Sequence, residues 1–521
     1  MLGLLLVKAF PYKTYRKGQK EAIQHAKSAF EGGKRFVVIE APTGSGKSAI
    51  AVTLARESNS AFILTAQKVL QDQYLNDYPD LAIMKGRSNY SCLVAPTNAA
   101  NAPCIAGKKF PECDDCPYFI AKDIAIAANS TIMNYAYYLA ELNYSGGFGE
   151  RKLLILDEAH NTEAILMSFV QISMSDSAFA RAGIPEQIPS FRHDQDYFDY
   201  AEEMMSIIKG RSREIDFQLK KDDLSAEFVL EQIQNKNYLD GQYKRLEMLL
   251  YSREENFSEW VVEKGRNKEG AWIKFKPVKV DIFAEDFMFS FAEKVLMLSA
   301  TILNPTTFLR SLGIRADDVE IIKVESDFPV ENRPIYLKPV ARMTRHYIDR
   351  DLPKLVAEIS NIMDAHPNDK GLIHAHSYRN ASFISQNLPS RHKDRLITHF
   401  SADAREGALT KHINSKSATV LLSPSMTEGI DLHGDLSRWQ IIAKIPYPYL
   451  GDPQVQRRKS LDSSWYDWRT CLSIVQAYGR SIRSKDDFAI TYILDADFPA
   501  FMNRQRNTLP DWFLEAIVPI D

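Results

Sequence analysis

Cysteine is scarce in this chain, five in 521 residues, so a disulfide framework does not stabilise it. No uninterrupted apolar run approaches the ~20 residues that a membrane-spanning helix needs. Excess charge is absent as well. Sixty-four Lys and Arg stand against 67 Asp and Glu, a formal net charge of −3, so any site for a polyanion must be a local groove. The opening Met1-Leu-Gly-Leu-Leu-Leu-Val7 has neither a basic start nor a small-residue cleavage site. It reads as a first strand or lead-in, which makes an intracellular protein with reduced thiols the expectation. Internal repeats and low-complexity tracts are missing too. What remains is the composition of a globular protein, 45% hydrophobic and 25% charged, and long enough for two to four domains.

Short apolar runs recur along the chain, among them Phe36-Val-Val-Ile39, Ala61-Phe-Ile-Leu64, Leu153-Leu-Ile-Leu156, Val295-Leu-Met-Leu298, Gly371-Leu-Ile-His374, Val420-Leu-Leu422, Gln440-Ile-Ile-Ala443 and Ile490-Thr-Tyr-Ile-Leu494. Helical patterns such as Gln19 to Phe30 and Leu352 to Met363 lie between them. Continuous apolar strands alternating with helices predict parallel sheets covered on both faces, with ligands at the carboxyl ends of the strands.

Two stretches depart from that alternation. Residues 86–127 hold four of the five cysteines and little strand signal. Residues 162–285 are charged and helical in character, too long for a loop, and predict an inserted, mainly helical domain. Trp260-Val-Val-Glu and Ala271-Trp-Ile-Lys-Phe-Lys276 read as a hairpin on its return. Cys471, among Leu472, Ile474 and Val475, reads as a core residue of a helix.

The first strand runs into Ala41-Pro-Thr-Gly-Ser-Gly-Lys-Ser48. A strand ending in a Gly-rich turn with Lys and Ser is built for a triphosphate. Backbone N–H groups of Thr43, Gly44, Ser45 and Gly46 face phosphate oxygens, Lys47 reaches the β/γ-phosphates and the Ser48 hydroxyl ligates Mg²⁺. Ala41 stands where the usual pattern begins with Gly. A later strand ends in Asp157-Glu-Ala-His160. It offers one carboxylate for the metal, Asp157, and one to orient an attacking water, Glu158. Arg480 and Arg483 are spaced to share a helix face.

Cys92, Cys104, Cys113 and Cys116 fall within 25 residues, with a single C-x-x-C pair. Four thiolates suit either a structural zinc or an iron–sulfur cluster, and their number alone does not choose. Lys85, Arg87, Tyr90, Lys108, Lys109 and Phe110 surround them with the cations and rings used in binding single strands.

Ser299-Ala-Thr-Ile302, Thr427-Glu-Gly-Ile-Asp-Leu432 and Gln476-Ala-Tyr-Gly-Arg-Ser-Ile-Arg483 follow in the order of superfamily 2 helicase motifs. Lys85-Gly-Arg-Ser-Asn-Tyr-Ser-Cys92, Cys116-Pro-Tyr-Phe119, Asn134-Tyr135 and Ile445-Pro-Tyr-Pro448 with Asp452-Pro453 resemble the XPD/DinG branch, the iron–sulfur DNA helicases. The chain departs from that pattern in four places. Its close cysteine pair comes last of the four, Thr427 replaces an aromatic, and Asp487-Phe-Ala489 and Asp495-Ala-Asp497 stand where the family often has Asp-Tyr-Gly and Asp-x-Arg.

The resemblance implies an α/β fold of two RecA-like lobes, with an iron–sulfur insert and a helical arch in the first lobe. The expected parts are 1–85, 128–161 and 286–304 for the first lobe, 86–127 for the cluster module, 162–285 for the arch and 305–521 for the second lobe. It implies arginine fingers at Arg480 and Arg483, and nucleotide contacts at Gly429, Asp431 and Gln476. Arg16 and Gln19 would read adenine, while His160 and Thr301 would relay nucleotide state. A [4Fe–4S] cluster would sit on the four cysteines, and Thr65, Gln67 and Gln71 would touch the DNA backbone. The expected protein is a monomer that uses ATP and Mg²⁺ to move 5′ to 3′ on single-stranded DNA and open forks, with no membrane. An RNA or RNA–DNA hybrid helicase is the rival reading. A nucleic-acid scaffold with a weak ATPase is a second, although Lys47, Glu158 and the arginines it would lack are all there.

Overall fold

The computed structural model describes residues 9–66, 68–102, 104, 110–221, 225–254, 259–325, 328–401, 403–424, 432, 434–481 and 487–518. The expected lead-in at residues 1–7 lies outside them, as do Gln67, Lys108, Lys109, Gly429, Asp431 and Arg483.

In chain order the first strands are β1 (Phe36–Glu40), β2 (Ala61–Thr65), β3 (Ala82–Ile83), β4 (Ser130–Asn134) and β5 (Arg151–Asp157). The arch contributes β6 (Ile172–Ser175), β7 (Trp260–Asn267) and β8 (Gly270–Pro277), and the chain returns through β9 (Ala292–Ser299) and β10 (Val319–Lys323). The second lobe holds β11 (Ile335–Ala341), β12 (Gly371–His374), β13 (Leu396–Thr398), β14 (Val420–Ser423), β15 (Trp439–Ile442), β16 (Ile490–Asp495) and β17 (Ile517–Val518).

Two seven-stranded parallel sheets result, in the orders β10-β1-β9-β5-β2-β4-β3 and β13-β14-β12-β15-β16-β11-β17. Their central strands are apolar on both faces because helices cover both: Val37, Val38 and Ile39 are buried in β1, and Leu421 and Leu422 in β14. Since β10 pairs with β1, the first lobe runs to Lys323. The expected boundary at residue 304 falls short because the segment after it returns to the first sheet instead of starting the second.

The inserts leave this frame where the apolar runs stop. Between β3 and β4 lie short helical turns and the helix Pro117–Ala127. The arch is built on two long helices, Asp194–Gln218 and Ala226–Glu254. Tyr197, Ala201, Met204, Ile208 and Ile215 of the first are buried, as are Leu239, Leu246 and Leu249 of the second, which gives each helix one apolar stripe. The expected hairpin forms as β7 and β8, and β6 adds to it, so the arch is rooted in a three-stranded antiparallel sheet. Cys471 lies buried in the helix Ser463–Tyr478, where burial pushes its thiol up to about 12.

Candidate nucleotide site and cysteine module

The turn after β1 is a tight Gly-rich loop that leads directly into a helix start. Gly44 and Gly46 have φ of 79° and 82°, left-handed conformations that glycine adopts without strain. A Cβ on Gly46 would also run into Gln19 Nε2. The loop closes on itself as Ser45 Oγ donates to the Pro42 carbonyl at 2.6 Å and Lys47 Nζ to the Ala41 carbonyl at 3.3 Å. The helix Lys47–Ser58 starts at the Gly46 cap, so its free N–H groups and positive dipole end face the loop. Arg16 and Gln19 reach the same loop from outside. Arg16 donates to the Gly44 carbonyl, Gln19 Nε2 donates to the Gly46 carbonyl at 3.2 Å, and the Arg16 N–H donates to Gln19 Oε1 at 2.7 Å.

Asp157 and Glu158 lie at the carboxyl end of β5. Asp157 is buried, and its carboxyl is pushed up to about 6 by that burial and by the Glu158 charge, with Lys47 and a Tyr74 hydrogen bond opposing. Tyr74 Oη donates to Asp157 Oδ2 at 3.1 Å, and Tyr135 Oη to the Asp157 carbonyl at 2.9 Å. Tyr78, one turn beyond Tyr74, places its hydroxyl against Ser48. The serine hydroxyl and a carboxylate form an all-oxygen donor set beside a phosphate loop, which fits Mg²⁺. Sequence reasoning missed the tyrosines. Their i, i+4 spacing is too ordinary to single them out.

A polar chain runs from this site toward the second lobe. Glu158, at φ 51°, has Oε2 3.4 Å from His160 Nδ1, which lies 2.8 Å from Ser299 Oγ. The Thr301 N–H donates to Ser299 Oγ at 3.0 Å, and Gln476 Nε2 of the second lobe donates to Thr301 Oγ1 at 3.5 Å. Trp468 Nε1 adds a bond to the Ile302 carbonyl at 2.7 Å. Gln476 is thus buried against Thr301. Arg480 does not lie on a helix: the helix Ser463–Tyr478 ends at the Gly479 cap, which puts Arg480 in the turn beyond it. The expected shared helix face with Arg483 is therefore absent on the Arg480 side.

Cys92, Cys104, Cys113 and Cys116 line one hollow together with Glu112 and the otherwise apolar Leu93, Val94, Ala99, Ala102 and Phe110. Among the described residues no three His, Cys, Asp or Glu groups are close enough to form a metal-binding group. A soft all-sulfur donor set around an apolar hollow nevertheless fits an iron–sulfur cluster in its chemistry. The Arg87 guanidinium lies over the Tyr118 ring at 4.4 Å, and the Lys85 N–H donates to Tyr90 Oη at 3.2 Å. Lys85 also pairs with Asp72. Two residues expected on the DNA are instead fully buried: Thr65 at the end of β2, and Gln71, whose Nε2 donates to the Met84 carbonyl at 3.3 Å.

Two tandem RecA-like lobes, the first carrying the Gly-rich loop and the Asp-Glu-Ala-His strand end, make up the frame of the chain. Residues 12–181 match the family model described as type III restriction enzyme, res subunit, and residues 359–516 that of the helicase C-terminal domain. The chain is 28% identical over 235 residues to the ATP-dependent DNA helicase YoaA of Escherichia coli, covering 33% of this chain and 37% of that protein. It is 24% identical over 254 residues to the ATP-dependent DNA helicase DinG of Photobacterium profundum, covering 45% of this chain and 36% of that one. It thus spans little more than a third of the curated relatives it matches. Among solved structures, an XPD helicase shares the fold at a TM-score of 0.66 and 16% identity, over 98% of this chain and all of that one. S. tokodaii Xpd4 shares it at 0.60 and 15% identity, over 97% and 100%. In sequence and in fold the chain is thus similar to the XPD/DinG helicases.

Proposed function

We propose that this protein is an ATP-dependent DNA helicase that moves 5′ to 3′ along single-stranded DNA and opens duplex at forks, as an intracellular monomer. One observation carries the reading. Arg16 and Gln19 bond the phosphate loop, Lys47 of that loop acts on Asp157 beside Glu158, and a polar chain through His160, Ser299 and Thr301 joins Glu158 to Gln476 of the second lobe. The relatives named as ATP-dependent DNA helicases support the choice of nucleic acid.

In hydrolysis a water attacks the γ-phosphorus and the bond to the ADP oxygen breaks. Glu158 orients that water and takes its proton, and phosphate and ADP leave. Thr43, Gly44, Ser45 and Gly46 cradle the phosphates with their N–H groups, and Lys47 neutralises the β/γ-oxygens. Ser48 and Asp157 would hold Mg²⁺, which would supply charge neutralisation on the phosphates. Arg16 and Gln19 read the adenine. From the second lobe Gly429, Asp431 and Gln476 complete the nucleotide contacts, and Arg480 with Arg483 neutralises the transferring phosphoryl group. His160 and Thr301 carry the nucleotide state between lobes.

Cys92, Cys104, Cys113 and Cys116 would hold a [4Fe–4S] cluster, which supplies a rigid cross-link to a segment poor in secondary structure. Lys85, Arg87 and Tyr90, with the cations Lys108 and Lys109 and the amide of Gln67, would contact the strand, and the module with the arch would form a pore that splits the duplex.

Unwinding of DNA and RNA forks with either a 5′ or a 3′ tail tests the reading. Opening of the 5′-tailed DNA fork alone is expected. Preference for an RNA or hybrid fork would establish the rival helicase, and nucleic-acid binding without ATP turnover would establish a scaffold.

A further inference from the structure

The helix Lys68–Asp77 touches two places that the proposed function uses separately. Gln71 bonds the Met84 carbonyl and Asp72 pairs with Lys85, so the helix holds the chain where it enters the cysteine module. Tyr74, one turn further on, donates its hydroxyl to Asp157 Oδ2 at 3.1 Å. Gln71 and Tyr74 are three residues apart, on neighbouring positions of one helix face. The Tyr74 ring is buried, at 3% exposure, and burial together with the Asp157 charge pushes its phenol far above the usual range. Asp157 carries two other fixed contacts, the Glu158 N–H on Oδ1 at 3.0 Å and Tyr135 on its main-chain carbonyl. Of these three groups only Tyr74 comes from the helix that holds the module entry.

We propose that Tyr74 is a positioning residue for ATP hydrolysis: its hydroxyl fixes the Asp157 carboxylate for the metal, and the helix Lys68–Asp77 thereby makes metal binding answer to the state of the module entry. The inference rests on the proposed helicase function. Partners that orient metal-ligating groups commonly contribute tenfold or more to metal affinity. A phenol that only satisfied a buried carboxylate would change stability and leave the metal dependence alone.

Tyr74→Phe keeps the packed ring and deletes the hydroxyl. Steady-state ATPase is measured over a Mg²⁺ titration, with and without oligo-dT. Wild type is expected to need less Mg²⁺ for half-maximal rate when oligo-dT is present. Tyr74→Phe is expected to need about tenfold more Mg²⁺, to approach the wild-type rate at saturating Mg²⁺, and to lose the response to oligo-dT. An unchanged Mg²⁺ requirement in Tyr74→Phe overturns the positioning role. A raised requirement that still responds to oligo-dT overturns the link to the module entry. Wild type that hydrolyses no ATP under any condition overturns the proposed function, and this inference with it. A urea unfolding midpoint equal to that of wild type separates the metal effect from a folding defect.

Discussion

Glu163 and Arg458 form a buried ion pair between the root of the arch and the second lobe, with Arg458 Nη2 2.9 Å from Glu163 Oε1. Glu163 lies six residues after Asp157 on the helix Thr162–Val170 that leads into the arch, and Arg458 lies on the helix Pro453–Leu461 of the second lobe. Trp465 Nε1 donates to the other carboxylate oxygen at 2.8 Å. Burial pushes the Glu163 carboxyl up, while Arg458 and Arg469 pull it down. Around the pair, Lys276 bonds Asp452 at 2.8 Å and Gln454 bonds the Pro277 carbonyl at 2.7 Å. The root of the arch is therefore fastened to the second lobe as well as to the first.

Breaking that pair from one side leaves a buried charge alone. Glu163→Gln is expected to cost about 3–5 kcal/mol. The double change Glu163→Leu with Arg458→Met removes both charges and should recover most of the loss. Urea unfolding of the single and double variants measures this. A single variant as stable as wild type would mean that water reaches the pair.

Lys47→Ala and Glu158→Gln should both abolish ATP hydrolysis, for different reasons. The first removes charge from the phosphates, and the second removes the group that orients water while Ser48 and Asp157 still hold Mg²⁺. Phosphate release and binding of a fluorescent nucleotide distinguish them, since only Glu158→Gln should retain binding. Wild-type turnover in Glu158→Gln would displace it as the water-orienting group.

Arg480→Ala should lower turnover by about 10³-fold or more with nucleotide affinity kept. Its charge is needed when the transferring phosphoryl group develops negative charge. Stopped-flow binding beside steady-state turnover reads the split. Equal losses in both would indicate a contact in the bound ground state.

Anaerobically purified protein should be brown and carry about four irons per chain. Cys113→Ser should lose the iron, since a hydroxyl is a poor replacement for a soft thiolate. ATPase should survive in part, because the phosphate loop and β5 pack in the lobe outside the module, and unwinding should be lost. Elemental analysis decides: stoichiometric zinc without iron would replace the cluster assignment.

Much of the site was legible because its signals are local. Phe36-Val-Val-Ile39 running into Ala41-Pro-Thr-Gly-Ser-Gly-Lys-Ser48 dictates strand, turn and helix start within a dozen neighbouring residues. The same holds for Leu153-Leu-Ile-Leu156 before Asp157. Where a boundary depended on distant partners the reading failed. Residues 319–323, Val-Glu-Ile-Ile-Lys, mix apolar and charged side chains, and only pairing with β1 assigns them to the first lobe. Gln71 follows a strand as a DNA-contacting residue would, yet it is buried on Met84 because its helix turns it inward.

The sequence by itself determined the alternation of strands and helices, the phosphate loop, the acidic strand end and the close set of four cysteines. Each is a run of chain whose backbone preferences and chemistry depend on its immediate neighbours. Tertiary structure alone decided that Tyr74 holds Asp157, that Gln19 closes on Gly46, that Thr301 meets Gln476, and that Glu163 pairs with Arg458 across 295 residues of chain. Such contacts leave no local periodicity. They form only after the sheets have stacked their helices and brought separate strand ends to one edge, and burial there sets which polar groups must find each other.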